Sequence, residues 1–186
     1  MANETITLAE TKLHLRVDVT DDDDLIDTLI GAALEIVEAW TWRKIGTGTL
    51  TQYCDSFPSS GIIQLKSPPL TSVTSITYID TNGDTQTLST DIYDVDITTE
   101  PGSVRRAYDQ SWPSTRAENN AVTITYVAGY ADANSTPDTI KQAMLLLIGH
   151  WYANREQVFV GPRAEATEVP MAVQTLLRRN TVETFV

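Results

Sequence analysis

The amino-acid sequence predicts an α+β fold: a helical bundle made from the N- and C-terminal helices, with a mostly antiparallel β block inserted between them. Three observations lead there. Apolar residues recur at helical spacing over residues 1–48 and again over 137–180, whereas between 49 and 130 they alternate with polar ones at period two. The helices at both ends carry wide apolar stripes, and neither pair can bury its stripe without the other. With 186 residues the whole reads as one domain, residues 1–186, ending in a short tail over 180–186.

The first helix starts at Thr7, whose hydroxyl can take a free N–H of the first turn while Glu10 reaches back in a capping box. Leu8, Leu13 and Leu15 supply its apolar residues. A second helix of ~20 residues follows Val17, with a stripe of Leu25, Ile26, Leu29, Ile30, Ala33, Val37 and Trp40. Asp21 to Asp24 lack the alternation, central Gly and distal Glu of a calcium loop, and are expected to cap the helix start and complement its dipole. Gly46 and Gly48 mark its end.

In the β block, Tyr93, Val95 and Ile97 alternate with Asp94, Asp96 and Thr98, and Val122, Ile124 and Tyr126 with Thr123 and Thr125. Both stretches predict half-buried strands. Asn82-Gly83 predicts a hairpin with positive φ at both positions, and Ile62 to Leu65 a further strand closed by Ser67-Pro68-Pro69. Turns are expected at Pro101-Gly102 and Trp112-Pro113.

The third helix is the most apolar segment. Pro137 is expected as its first residue with Ser135 or Thr136 as cap, and Ile140, Ala143, Met144, Leu147, Trp151 and Tyr152 repeat at helical spacing, flanked by Leu145, Leu146 and Ile148. Such a helix lies either wholly in a core or between a core and a subunit interface. At its polar end, Trp151, Tyr152, Arg155 and Glu156 have interface composition; equally, the aromatics could close the core while Arg155 pairs locally. A last helix starts at Pro170 and carries Val173, Leu176 and Leu177, followed by Arg178 and Arg179, which suit a helix end. Val182, Phe185 and Val186 would fray in a monomer unless something receives them.

Chemistry is sparse. His14 and His150 fall on helices without HExxH spacing, no phosphate-binding glycine loop or GxSxG occurs, and Asp94 and Asp96 read as a solvated strand face. No catalytic, metal-binding or cofactor-binding residue is expected. The single Cys54 precludes an intrachain disulfide and reads as a small buried strand residue. A net charge of −12 opposes binding to the phosphate backbone. The N-terminus has no secretory signature and no stretch is long enough to span a membrane, so a cytosolic protein, or part of a particle assembled in a cytosol, is expected.

The ordered set ITLAETKLHLRVD, DDDDLIDTLIGAALEIVEAWTWR, SPPLTSVTSITYID, IYDVD, VTITYVAGY and IKQAMLLLIGHWYANRE, with a VP-started last helix, resembles the tailed-phage head-tail connector (adaptor) family. It is most similar to the longer branch with a β block between helical halves, also found in gene transfer agents. The resemblance implies a non-enzymatic virion protein of the head-tail neck, assembled in the host cytoplasm. Its members form a ring, typically of twelve copies, between the portal protein and a stopper or tail-completion protein, with DNA passing through the lumen without specific binding and no membrane involved. Trp151, Tyr152, Arg155 and Glu156 would then face a neighbouring copy. Leu176, Leu177, Arg178, Arg179, Val182, Phe185 and Val186 would belong to an arm that docks on the portal. Another neck or tail-completion interaction protein, or an enzyme with an unfamiliar site in the β block, are the alternatives.

Overall fold

In the computed structural model, which describes residues 5–154 and 171–182, the chain order is α1 (Leu8–Leu15), α2 (Asp23–Thr41), β1 (Gly48–Cys54), β2 (Ile62–Gln64), β3 (Leu70–Ile79), β4 (Thr85–Thr87), β5 (Tyr93–Asp96), β6 (Ser103–Arg106), β7 (Val122–Ala128), α3 (Asp138–Ala153) and α4 (Met171–Arg178). The α+β architecture is the expected one. Two compact units result, a helical one from residues up to Gly46 and from Ala131 onward, and a β unit over Thr47–Tyr130.

In the helical unit, α1 begins with the anticipated capping box: Glu10 N–H donates to Thr7 Oγ1 at 3.1 Å, and Thr7 N–H to Glu10 Oε2 at 2.8 Å. Its end was less legible. Leu13 is 81% exposed, and Arg16 closes the helix in the left-handed region. At the start of α2, Asp22 is the cap residue but makes no side-chain capping bond. The aspartates are engaged elsewhere: Lys12 pairs with Asp23 at 2.5 Å, and Asp22 accepts from Tyr152. The dipole still favours four acids there. The helix stops at Trp42, at φ 57°, before either glycine is reached.

Helix α3 also starts differently from expectation. Pro137 is the cap rather than the first helical residue, and neither hydroxyl caps it. Ser135 and Thr136 instead donate to Asp132 C=O at 2.8 and 3.1 Å, closing a turn of their own. The helix buries Ile140, Ala143, Met144, Leu147 and Ile148, which pack with Ile26, Ala33 and Val37 of α2 and Val173 and Leu177 of α4 in the core of this unit.

The β block forms two antiparallel sheets, β1-β7-β3-β4 and β2-β6-β5, where one was expected. Strand β7 buries Val122, Ile124, Tyr126 and Ala128 and turns the intervening residues outward, as its alternation predicts. Ile63, Leu65, Tyr93 and Val104 from the smaller sheet join Leu70, Ile76, Val122, Ile124 and Tyr126 in one core. Gln52 of β1 ties the sheets together, donating to Gln64 C=O and accepting from Lys66 N–H, both at 3.0 Å. Strand β6, SVRR, escaped sequence reading because its buried half is a single Ser-Val pair. On edge strand β5 only Tyr93 is buried, and Val95 and Ile97 are 38% and 54% exposed, so the predicted inward alternation fails beyond Tyr93. Cys54 is half-buried at the end of β1, and burial raises its thiol pKa.

At the β3–β4 hairpin only Gly83 has positive φ, 96°. Asp80 organises the turn in place of a second left-handed residue: its carboxylate accepts from Asn82 and Asp84 N–H, and its C=O accepts from Gly83 N–H at 3.0 Å. Asp96 does the same after β5. Its carboxylate accepts from Thr98 Oγ1 at 2.6 Å, Thr98 N–H at 2.8 Å and Thr99 Oγ1 at 2.9 Å, which holds its pKa down to about 2. A folded pKa below the ordinary 3.8 stabilises the fold above that value, and the contribution is lost as pH falls through about 2. An NMR titration is therefore expected to place the Asp96 carboxyl near 2, and Thr98→Val with Thr99→Val to return it toward the ordinary range.

Candidate interaction surfaces

The polar end of α3 meets the start of α2. Tyr152 and Trp151 are both half-buried, and the Tyr152 hydroxyl donates to Asp22 Oδ2 at 2.5 Å. A short O–H···O⁻ bond between half-buried partners fixes the α2 start against the α3 end. Tyr152→Phe is expected to cost about 1.5 kcal/mol in chemical denaturation, while leaving helix content unchanged. Asn154 ends the helix, with its backbone and side-chain N–H groups both donating to His150 C=O. Arg155 and Glu156 lie outside the described residues.

The segment expected to dock on the portal divides in two. Leu177 is 1% exposed and belongs to the subunit's own core, and Leu176 is half-buried. Arg178 and Arg179 are exposed. Beyond them the chain is fastened to the end of α2: Arg43 Nε donates to Asn180 C=O at 2.6 Å and Val182 N–H to Thr41 C=O at 3.0 Å. Asn180 Nδ2 also donates to Thr139 Oγ1 at 2.8 Å. The Val182 backbone is thus fastened within the subunit and its side chain is half-buried, while Phe185 and Val186 lie outside the described residues.

Sequence reading missed the exposed apolar side chains of the helical unit. Trp42 is 64% exposed, Trp40 38%, Met171 81% and Val19 59%. Trp40, expected in the α2 stripe, stands out of the core in the last turn of the helix, and Trp42 lies beyond its end. Ala9, Lys12, Leu13, Arg16, Val17 and Asp18 line an open hollow of about 550 Å³ beside the α2 start.

The β unit has its own aromatic cluster. Trp112 stacks on Phe57 with centroids 4.8 Å apart, and Phe57 meets Tyr78 edge-on at 5.8 Å. The Trp112 indole N–H is buried without a hydrogen-bond partner among the described residues. Tyr126 donates to Lys66 C=O at 2.8 Å, and burial raises its pKa. His14 is exposed and His150 half-buried, both on helices of the other unit. Among the described residues no group of three or more His, Cys, Asp or Glu side chains could hold a metal ion, and no helix is long and apolar enough to cross a membrane.

The comparisons with known proteins concern assembly. Three chains from solved gene transfer agent (GTA) particles share the fold. One, from the virion of a native particle, has a TM-score of 0.76 at 20% identity; one, from the neck of an empty particle computed with C6 symmetry, has 0.71 at 21%. The third, from the neck of a native particle computed with C12 symmetry, has 0.64 at 19%. Each alignment covers 100% of this chain and 97% of the other. Among curated protein sequences none matches. The sequence matches the family model of the head completion proteins over residues 4–161, most of the chain, and the protein belongs to that family.

Proposed function

We propose that this protein is a structural component of the virion neck, a head-tail connector whose copies form a ring between the portal and a stopper or tail-completion protein, with DNA passing through the lumen. The observation that carries this reading is the end-to-end fold likeness to GTA neck chains, 97% of whose length is matched, together with membership of a family defined by head completion. A neck computed with C12 symmetry supports twelve copies. A chain of net charge −12 lets DNA slide past without electrostatic capture. The role is assembly, with no catalysis assigned.

In this reading the end of α3 around Trp151, Tyr152, Arg155 and Glu156 faces a neighbouring copy. The C-terminal segment is a stem and an arm: Leu176, Leu177 and Val182 fasten the stem, and Phe185 and Val186 reach the portal. Particles assembled without this chain test the proposal. DNA-filled heads lacking tails are expected, and tails restored by supplying the protein. Normal tailed particles in its absence would contradict it.

A further inference from the structure

Helix α2 gives the helical unit two unlike ends, about 28 Å apart. At its start six aspartates fall within residues 18–27, and Asp18, Asp21, Asp24 and Asp27 are exposed. Beside them lies the hollow lined by Ala9, Leu13 and Val17, with Leu13 81% exposed. Of its charged lining, Lys12 is paired with Asp23, while Arg16 and Asp18 are both exposed; the exposed aspartates around it leave this end of the unit net acidic. At the other end Trp42 stands 64% exposed. The bonds from Arg43 to Asn180 and from Val182 to Thr41 bring the end of α4, with exposed Arg178 and Arg179, to the same place.

One end is therefore an apolar knob flanked by cations, and the other an apolar hollow at a net acidic helix start, with Arg16 the exposed cation of its lining. Each complements the other and neither complements itself. A two-fold dimer needs a self-complementary patch, whereas two unlike patches on one chain produce head-to-tail contacts, which form a ring when the rotation between copies closes. The two ends cannot meet within one chain, because α2 holds them apart.

We propose that Trp42 of one copy, flanked by Arg178 and Arg179, seats in the Leu13–Val17 hollow of the next copy beneath Asp18, Asp21 and Asp24. This rests on the ring reading and names the two surfaces that meet in it. The Tyr152–Asp22 bond brings the end of α3 to the same end of α2, so both neighbour-facing features fall at that end of the unit. The contact supplies an aromatic anchor in a desolvated pocket surrounded by charge pairs, the arrangement that dominates interface energies.

The test places Leu13→Cys and Trp42→Cys together in a Cys54→Ser background and oxidises purified particles mildly. A ladder of covalent multimers is expected from the double variant and none from either cysteine alone. Charge reversal supplies a second reading that does not depend on thiols. Arg178→Glu with Arg179→Glu, and separately Asp21→Lys with Asp24→Lys, are each expected to lower incorporation into particles by about tenfold or more, the equivalent of about 1.4 kcal/mol. The chain carrying all four changes should recover it. A ring visible in the particles without the ladder, or without recovery in the fourfold variant, overturns this contact and leaves the ring reading standing. Absence of any ring of the wild-type chain overturns both.

Discussion

Leu147→Ala is expected to destabilise the helical unit by about 3 kcal/mol, the largest stability effect of any single truncation considered. Leu147 is fully buried on α3 among Ile140, Met144 and Ile148. It faces a core to which α2 and α4 also contribute, so the missing atoms leave a cavity bounded by three helices that cannot collapse together. Urea denaturation followed by helical circular dichroism reads the loss directly, and Trp40, Trp42 and Trp151 report on the same unit by fluorescence. A loss below about 1 kcal/mol would mean that α3 is not the centre of this core.

Gly102→Ala is expected to destabilise the β unit by about 2 kcal/mol. A Cβ at this position would lie 2.5 Å from Leu70 Cβ and 2.7 Å from Leu70 Cδ2, with Asp96 C=O at 3.1 Å. Leu70 is buried at the start of β3, and no rotamer change moves its Cβ, so either that strand or the β5–β6 connection must shift. Gly102 C=O also accepts from Leu65 N–H at 2.9 Å, which couples the shift to the smaller sheet. Trp112 is the reporter for this unit. Gly31→Ala provides the opposite sign: nothing lies within 4 Å of its would-be Cβ at this exposed position of α2, and a gain of about 0.8 kcal/mol is expected.

The contrast between those glycines shows where sequence reading succeeds and stops. Period and capping are local, so α1 with its Thr7–Glu10 box, the α2 stripe through Ile26, Ala33 and Val37 but not its last member Trp40, the buried face of α3 and the alternation of β7 could all be read along the chain. Gly102 could be placed in a turn, but its reason for being glycine is a contact with Leu70, 32 positions away. At Ser135 and Thr136 two local patterns compete, and the turn closed on Asp132 C=O takes both hydroxyls and leaves α3 uncapped. The division into two sheets rests on the pairing of β6 with β2 and β5, and four residues carry too little pattern to signal it. Among the candidate interaction residues, Trp151 and Tyr152 were visible by composition. Val182 could be suspected of needing a receptor, but only the fold shows Thr41 providing one. Trp42 sits one position beyond α2, where helical period carries no information.

The ring account makes the helical unit carry both a private core and a shared surface. Leu147, Met144 and Ile148 satisfy the first requirement within one chain. The second needs a neighbour, and the proposed contact brings Trp42 of one copy to the Leu13–Val17 hollow of the next. The measurement that tests this most directly is a cryo-EM reconstruction of the neck from particles containing this chain. The expected result is a closed ring of this protein beneath the portal, twelve copies around the DNA path, with its C-terminal residues against portal density. A neck in which this chain is absent, or present as isolated copies without a closed ring, would contradict the account.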